Sequence, residues 1–269
     1  MSNQALFRRQ FALLIGERRI ETDGDNTLRV DFSVTRTLSR EPNKAEIAIH
    51  NLREGTRALF QRKNQRVILE AGYKGNTSVI FRGTVTNTDI ERPATEWITR
   101  VECADGGTNS RRTRVNRSMR GSGNVGDIAR EVVRSLGVGE GNIADLPRTV
   151  FQNGFVVSGR ADQQLEKVAR KARTRYSIQD GQAVFLGPEQ VRRGAIPLIS
   201  AASGLIGTPQ IGEQGFVTLT SQIQPNLTPG YSFRLESRLI TGFYRVEKAT
   251  YRGDSWGSTW AVELEGKPL

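Results

Sequence analysis

Apolar and polar residues alternate with a period of two along much of the chain, a pattern typical of half-buried antiparallel β-strands. The alternation is clearest at residues 28–34 and 45–49, and it returns near the end of the chain at 245–251 and 260–264. Further strands are predicted from short apolar runs between turn residues, at 66–71, 78–86, 96–103, 215–220, 231–235 and the start of 242–251. The hydrophobic pattern therefore predicts a mainly β protein.

A short helix is predicted to interrupt the first group of strands. Asn51 followed by Glu54 three residues later matches a capping box, a pairing that starts many helices. In such a helix Leu59 and Phe60 would face the interior.

The middle of the chain changes to a helical period. Six apolar residues fall on one stripe of an amphipathic helix, with Asn124 as its N-cap and Gly137 just past its end. A second helix, over about residues 162–173, leads into a β-hairpin whose turn is Asp180-Gly181. We therefore predict a compact α+β insert between two β-rich segments.

The boundaries of these segments define three predicted domains, 1–108, 109–200 and 201–269. A Gly-Tyr pair, a strand, a Gly and another strand occur at 72–83 and again at 230–242. Either a duplicated β domain or the chance recurrence of common turn residues explains this similarity.

Charge is distributed unevenly along the chain. The formal charge at pH 7 is +11, and 32 of the 39 basic residues are Arg. Residues 109–200 carry 16 basic and 8 acidic groups, so most of the excess lies in the insert. Arg is a planar bidentate donor suited to carboxylate or phosphate partners. Nucleic acid, an anionic membrane or an acidic protein would each fit, and charge alone does not choose between them.

Five arginines are concentrated just before the first helix of the insert. They are Arg111, Arg112, Arg114, Arg117 and Arg120. The stretch lacks the interleaved aromatic residues on which single-strand nucleic-acid binders stack bases. We therefore predict a loop that is solvated or contacts protein, and we name these five residues as candidate partner-interface residues.

Little in the sequence indicates catalysis. A single Cys, Cys103, and a single His, His50, exclude an intrachain disulfide and an all-protein Cys/His zinc site. His50 is expected to be structural because no G-x-S-x-G elbow accompanies it, and Cys103 is expected to be a small buried apolar residue. Two carboxylates could converge from anywhere in the fold for glycoside hydrolysis, and no pair stands out.

Residues 121–126 spell G-x-G-x-x-G, the fingerprint of many dinucleotide sites. Such a fingerprint follows a buried apolar strand, whereas here the Arg-rich stretch precedes it. A turn followed by a capped helix is therefore predicted. We predict no enzyme activity, no cofactor and no metal.

Membrane and export segments are also not expected. The apolar stretch 11–15 is too short for a secretory core and is followed by Gly16 and charged residues. The long uncharged tracts 194–212 and 214–233 contain Gly, Pro, Gln, Asn and Thr throughout, so neither is predicted to span a membrane. Synthesis in the cytoplasm is expected.

Several short blocks of strand and turn residues follow one another along the chain. They are residues 39–47 with 51–52, 69–73 with 80–83, 105–106, 203–209, 227–230, 242–246, and 253–254 with Trp260. Their joint order spans nearly the whole chain and resembles the baseplate hub proteins of tailed bacteriophages. That family includes the late-control protein D type and the hub half of related secretion-system spikes.

The resemblance implies two tail-tube-like β-barrel domains, 1–108 and 201–269, that flank a small α/β domain. It also implies a homotrimeric ring whose six similar barrels adapt the sixfold tail tube to a threefold central spike and continue the DNA channel. The expected partners are other copies of the chain, the tail tube protein, the central spike protein and tape-measure or other baseplate proteins, with DNA only in transit. The expected location is the tail baseplate of the virion, after synthesis in the host cytoplasm.

A channel that passes DNA should not bind it tightly, so the basic insert is predicted to face an acidic neighbour or the outside of the ring. From the sequence two other functions stay open. One is a basic nucleic-acid-binding protein, whose affinity would fall steeply with salt. The other is a cell-wall hydrolase fused to a hub, which the chain length disfavours.

Overall fold

The computed structural model describes residues 8–21, 28–106, 113–119, 122–151, 154–212, 214–224 and 226–269. Within these residues the chain is mainly β with few helices, as predicted. The strands are β1 (Arg9–Ile15), β2 (Arg18–Glu21), β3 (Val30–Thr37), β4 (Lys44–His50), β5 (Arg66–Tyr73), β6 (Asn76–Glu91), β7 (Ile98–Ala104), β8 (Arg114–Met119), β9 (Gly123–Asn124), β10 (Val150–Phe151), β11 (Phe155–Arg160), β12 (Arg175–Gln179), β13 (Gln182–Leu186), β14 (Leu198–Ser200), β15 (Leu205–Ile211), β16 (Val217–Ser221), β17 (Ser232–Glu236), β18 (Thr241–Asp254) and β19 (Trp260–Pro268). The helices are α1 (Glu54–Phe60), α2 (Val125–Leu136) and α3 (Ala161–Lys171).

Helix α2 begins and ends where the sequence predicts. The side chain of Asn124 accepts a hydrogen bond from the Gly126 N–H at 3.2 Å, and Gly137 takes the left-handed conformation at φ 70° that ends many helices. The predicted cap of α1 is wrong. Asn51 instead accepts a hydrogen bond from the Trp97 N–H at 3.1 Å, and α1 begins after Arg53 without a side-chain cap.

One 13-stranded sheet joins the strands predicted for the first and third segments. Its order is β15-β16-β19-β18-β3-β4-β7-β6-β5-β1-β2, with β17 beside β18 and β14 beside β17. Neighbouring strands are antiparallel except for the short β14–β17 pair. Among the described residues, no strand pairing closes this sheet into a barrel.

The strand order of the sheet contains a repeat. We define the first module as β3 to β7 and the second module as β15 to β19. The first has the order β3-β4-β7-β6-β5, and the second has the order β15-β16-β19-β18-β17. In sequence order these are the same arrangement, with every neighbouring pair antiparallel.

A β-bulge marks the same place in both modules. The longest strand of each module, β6 or β18, shifts register against the next strand, between Val85 and Asn87 in the first and between Val246 and Lys248 in the second. Bulges bend a strand and increase its twist, so each long strand changes direction at this point. The Gly-Tyr pairs noted in the sequence occupy different positions, since one ends β5 and the other precedes β17.

The sheet curls so that strands distant in its order meet in the core. The Trp260 indole on β19 donates to the Gly72 carbonyl on β5 at 3.0 Å, and the buried Arg36 on β3 donates to the Ile80 carbonyl on β6 at 3.1 Å. Inward-facing residues of both modules form one hydrophobic cluster. A polar group buried in such a core is costly unless it is hydrogen-bonded. These two bonds therefore restrict which strands can face each other across the core.

The chain divides into two compact units. Unit 1 contains Met1–Thr37, Asn43–Ala104 and Val191–Leu269, so both outer segments contribute to it. Unit 2 contains Leu38–Pro42 and Asp105–Gln190, which makes the insert slightly shorter than 109–200. The division into three domains stays a prediction.

Unit 2 has its own core of α2 and α3 against three two-stranded ribbons, β8–β11, β9–β10 and β12–β13. Its first residue after β7, Asp105, is buried, and the Asp105 carboxylate accepts the N–H groups of Asp180 and Gly181 at 2.7 and 2.8 Å. Both of these turn residues have a positive φ, 55° and 78°, as the predicted two-residue hairpin requires.

Candidate functional site

The surface where the two modules meet is the first candidate site. Here β3 pairs with the second half of β18, from Thr37 opposite Lys248 to Asp31 opposite Asp254. The first half of β18 pairs on the same side with β17. One edge strand of the first module is therefore joined to the long strand of the second module, beyond its bulge.

A partly buried polar cluster stabilises this junction. The Arg29 guanidinium donates to both carboxylate oxygens of Asp254, at 2.8 and 3.3 Å, and the Trp256 N–H donates to the same side chain at 3.0 Å. Partial burial alone would raise the pKa of Asp254, but these hydrogen bonds outweigh it and lower that pKa. The Ser255 hydroxyl also accepts the Val30 N–H at 2.9 Å.

His50 lies beside this junction and contacts carboxylates through both ring nitrogens. Its Nε2 is 3.0 Å from Asp31 Oδ2, and its Nδ1 is 3.4 Å from Glu96 Oε2. A Ser–His–Asp arrangement needs a hydroxyl on one of these nitrogens. The contacts of His50 support the structural role predicted for it.

Cys103 is buried on the inner face of β7, which confirms its predicted position. Burial raises the pKa of its thiol to about 12. Because the thiolate is the nucleophilic form, this residue stays inert at neutral pH.

The five candidate arginines are only partly described. Arg111, Arg112 and Arg120 lie outside the described residues, whereas Arg114 and Arg117 are exposed on β8. The predicted loop is wrong for residues 114–119, because they form a strand that pairs with β11. The Arg117 Nε is 3.0 Å from Glu131 Oε1 on α2. The structure therefore places one of the five in an ion pair, and the interface role of all five stays a prediction.

The G-x-G-x-x-G segment is part of the start of α2. Gly121 lies outside the described residues, and Gly123 and Asn124 form the short β9 opposite Val150 and Phe151. Asn124 then caps the helix, as the prediction of a capped start requires. In the described part of the chain no three His, Cys, Asp or Glu residues are grouped as a metal site, and no helix is long and apolar enough to cross a membrane.

A row of exposed side chains, apolar except for Arg234 and missed by the sequence analysis, crosses four neighbouring segments. Leu198 on β14 lies opposite Arg234 on β17, Arg234 lies opposite Phe243 on β18, and Leu269 donates its N–H to the Phe243 carbonyl at 3.1 Å. The Phe243 side chain is 50% exposed, and Leu239 in the adjacent turn is 80% exposed. The Arg234 guanidinium lies over the Phe243 ring, 5.8 Å from its centroid. Exposed apolar side chains grouped together often mark surfaces that bind other proteins. The row depends on strand register, which the local sequence does not reveal.

Comparisons with known proteins agree with this architecture. The chain is similar in fold to the 43 kDa tail protein of prophage MuSo2 from Shewanella oneidensis, at TM-score 0.68 and 9% identity, and to the tail protein from Neisseria meningitidis MC58, at TM-score 0.69 and 8% identity. Each comparison covers 97% of both chains. The E. coli c3393 protein, described as a component of the type VI secretion system with structural similarity to T4 tail proteins gp27 and gp5, matches at TM-score 0.60 and 13% identity, over 96% of this chain and 76% of its own.

Sequence comparison assigns the family. No curated protein matches the chain. The family model described as Baseplate hub gp41 matches residues 10–266. The chain belongs to the baseplate hub gp41 family. Baseplate hub gp41 is a structural family of phage tail baseplates and not an enzyme family, as the sequence analysis predicted. The matched range includes both modules and the insert, so the family assignment applies to nearly the whole chain.

Proposed function

We propose that this protein assembles as a homotrimeric ring that joins the sixfold tail tube to the threefold central spike and continues the DNA channel. The observation that carries the proposal is the repeated five-strand order of the two modules. Three chains present six similar modules, so one face can match a sixfold partner while the ring keeps threefold symmetry.

The curled sheet supports the view that each module acts as a tail-tube-like barrel. Within the first module, the bond from Arg36 on β3 to the Ile80 carbonyl on β6 brings together two strands that are separated in the strand order. A sheet that curls and twists in this way can form the wall of a tube.

The outer face of the sheet offers a surface suited to a DNA channel. Glu46 on β4 lies directly opposite Glu102 on β7, and both are exposed. Like charges in this position destabilise a sheet locally and favour a negative potential around them, because the nearby Arg100 and Arg252 are already paired with Glu91 and Glu263. A negative wall repels phosphate, so it would let DNA pass without binding it.

The basic insert is proposed to contact an acidic neighbour. Arg111, Arg112, Arg114, Arg117 and Arg120 are its candidate interface residues, and the tail tube, the spike and tape-measure or other baseplate proteins are the candidate partners. Four other arginine contacts in unit 2 already have carboxylate partners, at Arg130–Asp127, Arg134–Glu140, Arg160–Asp162 and Arg170–Glu166. These pairs reduce the charge available to a phosphate backbone, which favours the hub over a nucleic-acid-binding protein.

The mass of the purified protein, alone and with its tail tube and spike partners, tests the proposal. A hub of this design has a mass three times 29.9 kDa and binds both partners at once. We expect an oligomer that persists at high salt and does not bind DNA. A monomer whose affinity for non-specific DNA falls steeply between about 50 and 200 mM salt would instead support the nucleic-acid-binding function.

A further inference from the structure

Several strand edges in unit 1 have no neighbouring strand among the described residues, and two of them are related by the repeat of the modules. Among the described residues, β15 pairs only with β16, and residues 87–91 of β6 pair only with β7. An exposed strand edge is a template for pairing with another chain unless it is covered. The repeat between the modules indicates what covers these two.

The bulge gives a residue-by-residue correspondence between the long strands. Aligning the shift after Val85 with the shift after Val246 makes residues 87–91 of β6 equivalent to residues 248–252 of β18. In the second module that segment is covered by β3 of the first module. In the first module the equivalent segment is open on the side opposite β7.

The edge strands of the modules correspond in the same way. In the first module Val30 on β3 lies opposite Ile49. At the equivalent place in the second module Leu205 on β15 lies opposite Ser221, so β15 is the equivalent of β3. After the irregularity in β15 between residues 206 and 210, Gln210 and Ile211 take the positions of Ser33 and Val34. The strand that covers the long strand within the chain, β3, therefore has a counterpart, β15, whose outer edge has no partner strand among the described residues.

We propose that β15 of one copy pairs antiparallel with residues 87–91 of β6 in a second copy, so that the junction between copies repeats the β3–β18 junction within each chain. The inference rests on the proposed trimer and names the strands that build it. Transferring the observed register places Gln210 opposite Glu91 and Ile211 opposite Ile90. Three such head-to-tail contacts close a ring with six similar junctions.

The burial of equivalent residues supports this pairing. Val34 on β3 is fully buried opposite Tyr251, whereas its counterpart Ile211 is 60% exposed. Pairing with a second copy would bring Ile211 against Ile90, as Val34 meets Tyr251 within the chain. An isoleucine on an uncovered strand edge is otherwise a site for aggregation.

A paired-cysteine experiment tests the register directly. In an antiparallel sheet, residues directly opposite have Cα atoms about 4.5–5.5 Å apart, within the reach of a disulfide. The variant carrying Gln210→Cys and Glu91→Cys is expected to form covalent dimers and trimers under mild oxidation, and both disappear on reduction. The control variant carrying Gln210→Cys and Glu54→Cys, in which Glu54 is exposed at the start of α1, is expected to stay uncross-linked.

A second variant measures the contribution of the pairing to assembly. Ile211→Asp changes an exposed residue, so the fold of the subunit is expected to be retained, while the concentration at which the trimer dissociates rises roughly tenfold or more. Val150→Asp is the matched control, because Val150 is also exposed, at 56%, but lies on β10 in unit 2, and it should leave the trimer intact.

The outcomes separate this inference from the proposed function. A trimer that does not cross-link at 91 and 210 and tolerates Ile211→Asp overturns the strand pairing but leaves the trimeric hub standing. Covalent chains longer than three copies overturn the closed ring. A protein that is monomeric at every concentration overturns both.

Discussion

The buried carboxylate of Asp105 provides the sharpest stability prediction. It accepts the N–H groups of Asp180 and Gly181 at 2.7 and 2.8 Å, in a turn where both residues have a positive φ. A hydrogen bond to a charged group contributes about 1.5–3 kcal/mol, and removing the acceptor leaves two partly buried N–H donors without it. Because the two bonds share one side chain they are not additive, and we expect Asp105→Ala to cost about 2–4 kcal/mol.

Amide hydrogen exchange of the β12–β13 hairpin measures this loss locally. Since about 1.4 kcal/mol corresponds to a tenfold change in an equilibrium constant, exchange across residues 175–186 should accelerate by about 30- to 1,000-fold in Asp105→Ala. Asp145→Ala, at an exposed position in the same unit, is the control and should change exchange by less than about threefold. Equal protection in Asp105→Ala and the wild type would refute the anchoring role of Asp105.

Three further predictions concern single side chains. Asp254→Asn should cost about 1–2 kcal/mol at neutral pH, because it loses the charge-assisted bonds from Arg29. Folding lowers the pKa of Asp254, so its contribution to stability is present above the unfolded value of 3.8 and is lost as the pH falls below it. The free energy of unfolding in urea should therefore depend less on acid pH in the variant than in the wild type. Parallel pH profiles of the two proteins would contradict this. Cys103 should react with a thiol reagent only after denaturation, and fast labelling of the native protein would disprove its burial. Asn124→Ala should destabilise α2 by about 1 kcal/mol, measured by hydrogen exchange, and Asn124→Asp should retain most of the cap.

Local features of the fold are predictable from the sequence because short-range chemistry determines them. The period of the hydrophobic stripe together with the capping residue and Gly137 defines α2 within a residue. The Asp180-Gly181 pair defines the β12–β13 hairpin, because both residues tolerate a positive φ. By contrast, Asn51 has the composition of a helix cap but binds Trp97, a partner 46 residues away that no local pattern reveals.

Long-range pairing is the part that the sequence does not show. The apolar run of residues 11–15 is too short for an export signal and shows no alternation that predicts a strand. In the structure it belongs to β1, and every residue of β1 pairs with β5. The β3–β18 junction joins residues more than 200 positions apart, so neither the single large sheet nor the repeated strand order follows from periodicity. The Gly-Tyr pairs suggested a duplication at positions that the structure does not make equivalent.

Composition does not distinguish buried arginines from exposed ones. The Arg-rich content predicts charged surfaces and interfaces, but Arg36 and Arg245 are among the largest fully buried side chains. Arg245 pairs with Glu247, the extra residue at the bulge of β18, and Arg36 reaches a carbonyl across the core. Burial of a charged group depends on such partners, which only the folded chain brings together.

Electron microscopy of the isolated oligomer, viewed along its symmetry axis, tests the central claim most directly. A protein that matches a sixfold tube with three two-module chains should show six similar densities around an open channel, at the mass of three chains. A ring with only three such densities, or a particle without a channel, would contradict the account.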